Sequence, residues 1–257
     1  GLRAIWLEGN GLAKIENLLN QTELRCLYIH QNALSKIENL DHCKHLATVQ
    51  LSNNQIATIA NPSALPKLST LQMAHNLLED AASVSHLLEC PHISVLDLQN
   101  NRIDDPAVLD VFSAMPELAV LQLQGNPFIS KVPNYRRTVI SRCKSLTYLY
   151  DRPVFEEERM CVEAWAIGGF AAERAERRRQ REAKEAAHRN NLEYMRALSQ
   201  RALRAREAAP EPSGGAERKP RDDEGDATPD ASAAAPANSS VAVSDESLYS
   251  SALSALE

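Results

Sequence analysis

The chain has 257 residues and a formal net charge of −6, a length that allows one repeat domain with appendages. No stretch approaches the ~18 consecutive apolar residues of a membrane-spanning helix, and no secretory signal pattern is present. Its five cysteines are odd in number and lack Cys-x-x-Cys spacing, which fits a reduced, cytosolic compartment better than a disulfide framework.

Residues 1–126 carry one line six times, Leu-x-x-Leu-x-Leu-x-x-Asn, with Ile, Val or Met at some aliphatic positions. It begins as Leu2-Ile5-Leu7-Asn10 and ends as Leu118-Leu121-Leu123-Asn126. The asparagines Asn10, Asn32, Asn54, Asn76, Asn101 and Asn126 are spaced by 22, 22, 22, 25 and 25 residues. A fixed period of this size is the mark of a stacked-repeat architecture, here the leucine-rich repeat. The expected fold class is α/β, a leucine-rich-repeat solenoid with a parallel sheet on its concave face. The second and third aliphatics of each unit alternate with residues expected to be exposed, the period-two pattern of a strand. Each asparagine is expected to turn inward where the chain leaves the strand and satisfy backbone groups buried in the turn. Leu2 already occupies the first repeat position. Because a solenoid needs a polar cap at each end, an upstream cap is expected outside this sequence, which then reads as a fragment.

In the two longer units, helical turns are expected near 79–89 and 105–114, with Asp105-Pro106 as N-cap and first helical residue. Residues 127–155 read as a closing cap. A helix over 134–144 should bury Val139, Ile140 and Cys143, Leu146 and Leu149 restart the strand line, and Tyr150 and Asp151 should wet the exposed end. Trp165 is expected to fold back near Phe155 and this cap. Residues 156–208 read as a charged helical extension broken at Gly168-Gly169, with Glu173/Arg177 and Glu185/Arg189 as supporting pairs. Residues 209–257, rich in Pro, Ala, Ser and Asp, read as a disordered acidic tail. Its end, Leu248 to Leu256, has helical spacing and either docks into a partner's groove or stays part of the tail.

The sequence holds no nucleophile elbow, zinc-protease helix, phosphate loop or dinucleotide fingerprint. No catalytic residue, metal ligand or cofactor is assigned. His42, Cys43 and His45 form the densest potential ligand set, and they read as a surface cluster lacking a fourth ligand. The basic run Arg174–Arg181 is interleaved with glutamates and lacks aromatics for stacking bases, so a solvated helix is favoured over a nucleic-acid site.

The exposed strand positions form three columns. The first reads Ala4, Cys26, Thr48, Thr70, Val95, Val120. The second reads Trp6, Tyr28, Gln50, Gln72, Asp97, Gln122. The third reads Glu8, His30, Ser52, Ala74, Gln99, Gln124. This face is aromatic at one end and amide-rich along the rest, the composition of a protein-binding surface. The candidate binding residues are Trp6, Glu8, Tyr28, His30, Gln50, Gln72, Asp97 and Gln122. The alternative for Trp6 and Tyr28 is that an upstream segment covers them. The face lacks Arg and Lys, which argues against phosphate contact.

Lys-Ile-Glu-Asn-Leu occurs at 14–18 and again at 36–40. Further marks are Trp6-Leu7-Glu8, Leu71-Gln72-Met73-Ala74-His75-Asn76, Asn134-Tyr135-Arg136-Arg137-Thr138-Val139, Asp151-Arg152-Pro153-Val154-Phe155 and Glu163-Ala164-Trp165-Ala166. With these, the chain resembles the intracellular 22-residue leucine-rich-repeat family and, within it, the leucine-rich-repeat assembly factors of axonemal dynein. The resemblance spans about residues 1–180. Tyr150 departs from the acidic residue expected there. The resemblance implies a non-enzymatic scaffold, cytoplasmic and cilium-associated, that helps dynein arms assemble. The implied partners are axonemal dynein chains, chaperones and other assembly factors, with neither nucleic acid nor membrane. The alternatives are a phosphatase-regulatory repeat subunit and a ribonucleoprotein partner protein.

Overall fold

The computed structural model describes residues 1–60 and 65–207. Contacts divide the chain into a unit of Gly1–Ala202 and the remainder from Leu203; the account below concerns the first. The segment read as an acidic tail, with Leu248 to Leu256, lies outside the described residues.

The six repeats form six three-residue strands: β1 (Ala4–Trp6), β2 (Cys26–Tyr28), β3 (Thr48–Gln50), β4 (Thr70–Gln72), β5 (Val95–Asp97) and β6 (Val120–Gln122). They pair in chain order and in parallel, Ile5 opposite Leu27, Val49, Leu71, Leu96 and Leu121 in turn. This is the α/β solenoid with a parallel concave sheet that the period predicts. Each strand is short because only its middle residue and the flanking aliphatics point into the coil. Those residues stack on their equivalents one repeat away, so Leu27, Val49, Leu71, Leu96 and Leu121 are all buried. In the first coil, Ile5 and Leu7 are only partly covered and Leu2 is exposed.

The residue before each repeat asparagine has a left-handed backbone: Gly9, Gln31, Asn53, His75, Asn100 and Gly125 all have positive φ. This turn is what swings the next side chain inward. Non-glycine residues enter that region at a cost of ~1–2 kcal/mol, so the packing around the turn must compensate. At Gly125 the constraint is also steric, since a Cβ there would lie 2.2 Å from Asn100 Oδ1 and 3.1 Å from Asn100 Cα. The repeated Asn17 and Asn39 of the Lys-Ile-Glu-Asn-Leu segments are left-handed too, and Asn39 Nδ2 donates to Ile15 O at 2.7 Å.

The inward asparagines join the coils through one continuous ladder. Asn76 Nδ2 donates to Met73 O and Ala74 O of its own coil and to Leu51 O of the coil before it. Its Oδ1 accepts from Ile56 N at 3.0 Å. Leu51 O also accepts from Asn54, and Met73 O also accepts from Asn101. Each of these carbonyls thus uses both lone pairs, one for each neighbouring asparagine. Asn54, Asn101 and Asn126 repeat the pattern and are buried. Asn10 differs from expectation: it is exposed, and its Nδ2 donates only to Glu8 O. None of the described residues offers it the preceding-coil carbonyl that Leu51 O offers Asn76.

The longer fourth and fifth units hold helical turns. α1 (Ala81–Val84) opens on a capping box between Asp80 and Ser83 and continues as a 3₁₀ turn over Ser85–Glu89. α2 (Val108–Ser113) begins later than Asp105-Pro106 suggests. Asp105 instead accepts from Ala107 N at 2.9 Å, and 3₁₀ bonds lead from there into the helix. Cys43 is fully buried among the aliphatics. His42, Cys43 and His45 therefore do not form the surface cluster expected: the Cys43 thiol packs as a small apolar group in the core, and His45 Nδ1 meets Lys67 Nζ.

The end of the sheet is closed by more than a helix. α3 (Tyr135–Arg142) lays Val139 and Ile140 onto the last coil. β7 (Tyr148–Leu149) adds a seventh parallel strand, then the chain reverses and β8 (Arg152–Pro153) pairs antiparallel with it. A proline on the last strand offers no N–H to another chain, which blunts the edge. At the reversal Tyr150 has φ 59°. Rather than wetting the end, its ring turns in and stacks on Tyr135 at 5.6 Å, because the left-handed turn reverses its direction. Burial raises the pKa of both phenols.

α4 (Glu156–Glu207) is two helical arms. Gly168 and Gly169 leave helical geometry, and Gly169, at φ 65° and ψ −160°, occupies a region essentially reserved for glycine. The second arm folds back along the first: Gln180 Nε2 donates to Glu157 O and Lys184 Nζ reaches Glu157 Oε2 at 2.6 Å. Glu173 and Arg177 form their pair; Glu185 and Arg189 form none. Trp165 does not seek Phe155, which is exposed; its ring meets Phe170 at 6.4 Å. The hairpin brings Phe170 back to it, and the guanidinium of Arg137 lies 5.5 Å from the Phe170 centroid.

Candidate functional site

The strand register builds the concave face residue by residue. Cα pairing sets Trp6 opposite Tyr28, Tyr28 opposite Gln50, then Gln72, Asp97 and Gln122. Neighbouring strands in a sheet lie ~4.8 Å apart, so aromatic residues in one column can stack. The rings of Trp6 and Tyr28 do, with centroids 5.4 Å apart and planes 7° from parallel. Trp6 is 65% exposed and Tyr28 is half-buried. Beside them, His30 Nε2 lies 2.8 Å from Glu8 Oε2. The first end of the face is thus a stiff aromatic shelf flanked by a carboxylate–imidazole pair.

Gln50 and Gln72 continue the column, each half-buried. Toward the cap the face becomes a connected polar patch. Asp97 accepts from Gln99 N at 3.0 Å, the Gln99 amide donates to Gln122, and His75 Nε2 meets Asn100 Nδ2 at 3.2 Å. Gln122 departs from expectation here. It is only 7% exposed, because the Gln99 amide from β5's end closes over it. Thr70 and Ser52, which the alternation also places outside, are likewise buried. Trp6, Glu8, Tyr28, His30, Gln50, Gln72 and Asp97 share the open face.

Burial raises the pKa of Asp97, against the opposing pull of the Gln99 N–H and of His75. The folded chain therefore holds this proton more tightly than the unfolded chain does. Stability from this group is greatest at low pH and falls as pH rises through the raised value. Asp97→Asn keeps an acceptor for Gln99 N. It should melt at or above the parent temperature near neutral pH and lose less stability on going from about pH 4 to pH 7. An unchanged difference between the two proteins across that range would refute the burial argument.

A second set of polar side chains, which hold the cap to α4, is not marked by the repeat pattern of the sequence. Arg136 and Arg137 stand in the first turn of α3, where the helix dipole disfavours cations. That mismatch was the available signal that each has a partner elsewhere. Arg136 Nε and Nη2 make a two-pronged bond to Glu158 at 2.7 Å, and it also donates to Leu149 O and Pro153 O. One side chain thereby ties α3, the β7–β8 reversal and the start of α4. Its hydrogen bonds hold the Glu158 carboxyl below the usual carboxylate range, against the effect of burial. Arg137 makes the equivalent pair with Glu173, whose other partner is Arg177.

Among the described residues no three His, Cys, Asp or Glu side chains are grouped to hold a metal ion. No described helix is long and apolar enough to cross a membrane.

No family model matches the chain. It is 49% identical over 77 residues to dynein axonemal assembly factor 1 of Homo sapiens, a match covering 30% of this chain and 11% of that protein. Its counterpart from Mus musculus is 52% identical over 82 residues, covering 32% and 12%. A homolog from Anopheles gambiae is 54% identical over 54 residues, covering 21% and 6%. The matches thus span about a tenth of the relatives' length. Among solved structures, an internalin from Listeria monocytogenes aligns with a TM-score of 0.49 at 22% identity, over 58% of this chain and 41% of that one. A chain of the Drosophila melanogaster SNF/U2A′ complex aligns with a TM-score of 0.42 at 23% identity, over 63% and 80%.

Proposed function

We propose that this chain is a non-enzymatic scaffold that binds protein partners on its concave sheet and serves the cytoplasmic assembly of axonemal dynein arms for motile cilia. The observation that carries the binding half is the stacked, exposed Trp6–Tyr28 shelf. Two large rings already held parallel lose little freedom when a partner covers them. The amide-rich column beyond, with no Lys or Arg among its exposed positions, supplies hydrogen bonds without attracting phosphate. The dynein half rests on the partial similarity to dynein axonemal assembly factor 1. On this reading the partners are axonemal dynein chains, chaperones and other assembly factors, and the chain works in the cytoplasm in association with cilia.

The test is the double variant Trp6→Ala with Tyr28→Ala. Truncating a hot-spot aromatic removes about 2 kcal/mol, or about thirty-fold in affinity. Recovery of axonemal dynein chains from ciliated cells should fall by that order while the thermal melt keeps its cooperativity. Gln50→Ala, next in the column, should weaken recovery less. Undiminished recovery of dynein chains would remove the concave shelf from the proposal. Phosphatase or spliceosomal proteins in place of dynein chains would overturn the assembly role.

A further inference from the structure

A cleft of about 630 Å³ lies between the β8 edge and the two arms of α4, and none of its lining residues belongs to the column of Trp6. Its walls include Arg152, Phe155, Arg177, Gln180, Arg181 and Lys184. Arg177, Arg181 and Lys184 recur along the second arm at the spacing that shares one helix face, and β8 brings Arg152 to meet them.

The carboxylates of this cleft are already engaged. Glu158 is held by Arg136, and Glu157 by Lys184. Arg177 spends its charge on Glu173. Arg152 and Arg181 are left over: among the described residues neither forms an ion pair within 4.0 Å. The other charged residues of the cleft, Glu157, Glu158, Arg177 and Lys184, are paired, so Arg152 and Arg181 carry its uncompensated positive charge, and a concave site concentrates that field more than a flat surface does. Beside them the Phe155 ring is 66% exposed.

We propose that this cleft is a docking site for a short acidic peptide segment that carries an apolar side chain. Guanidinium forks match carboxylates in a two-pronged geometry, and Arg152 and Arg181 each have one free. The apolar residue would cover Phe155. A continuous polyanion fits less well. Glu157 and Glu158 also line the cleft and interrupt its positive surface for a long run of phosphates, and Phe155 is the single aromatic among the lining residues, too few for stacking a run of bases. This surface is separate from the concave face and does not rest on the reading given above.

The experiment uses the full chain and three fluorescent probes: the peptide Asp-Glu-Phe-Asp-Glu, its amide counterpart Asn-Gln-Phe-Asn-Gln, and an oligothymidylate strand. The acidic peptide should bind, weaken as salt rises, and outbind the amide peptide roughly ten-fold or more. Arg152→Glu with Arg181→Glu should lower its affinity by a similar factor. Arg152 lies close enough to Glu158 to favour its ionised form, so a carboxylate there costs some stability; Arg152→Gln with Arg181→Gln, which should melt close to the parent, must therefore also weaken binding of the acidic peptide. Trp6→Ala with Tyr28→Ala should leave peptide binding unchanged. Equal binding of the acidic and amide peptides, parent-like binding by either double arginine variant, or tighter binding of the oligothymidylate would each overturn the proposal.

Discussion

Asn76→Ala is expected to destabilise the solenoid by about 2–4 kcal/mol, while Asn10→Ala costs less than about 0.5 kcal/mol. The two residues occupy the same place in the repeat line and differ only in their neighbours. At Asn76 the amide donates into two coils and Oδ1 accepts from Ile56 N. After truncation Leu51 O, Met73 O and Ala74 O each keep one other donor, from Asn54, Asn101 and Asn53 N respectively. Ile56 N–H keeps none, inside a coil where Ile56 itself is fully buried. One orphaned donor costs ~1–3 kcal/mol, and the lost bonds to the carbonyls add to it. Asn10 is exposed, so water replaces its partners. Chemical denaturation of the two variants checks this. Equal midpoints would mean that the ladder contributes nothing beyond what water supplies.

Glu173→Ala should release the second arm of α4 from the cap at a cost of about 2–3 kcal/mol, less than the ~3–5 kcal/mol of a fully buried pair. Glu173 is 4% exposed and lies between Arg137 and Arg177. The discount reflects those two arginines, which are 34% and 61% exposed and can turn to water. Burial alone would raise the Glu173 pKa, but the bonds from Arg137 and Arg177 outweigh it and leave it lowered. Its contribution is therefore complete above the ordinary carboxylate range and is lost as pH falls through the lowered folded value. The variant should show faster proteolysis at Gly168–Gly169 and altered Trp165 fluorescence, with the repeat melt preserved. Glu182→Ala, whose carboxylate is exposed and 4.0 Å from Arg178, should change neither, as expected for a surface pair. Protection equal to the parent's in Glu173→Ala would show that the contacts of Phe170 with Trp165 and Arg137 hold the arm by themselves.

The repeat line determined much of this protein unaided. The inward aliphatics, the parallel register and the columns of the concave face all follow from a period, and a period is a local property of the chain. The glycine pair likewise announced the break in α4, because no other residue adopts the Gly169 backbone without strain. Tertiary structure decided what depends on neighbours distant in sequence. Asn10 and Asn76 look alike in the line, and only the coil stacked beneath distinguishes them. Gln122 reads as exposed by alternation, yet a side chain from β5's end covers it. Cys43 reads as part of a surface cluster until the core claims it, and Tyr150 as solvent-facing until a left-handed turn redirects its ring. The pairing of Arg136 with Glu158 and of Arg137 with Glu173 spans 22 and 36 residues. No spacing rule reaches that far, because which carboxylate meets which guanidinium is settled only when the hairpin folds back on the cap.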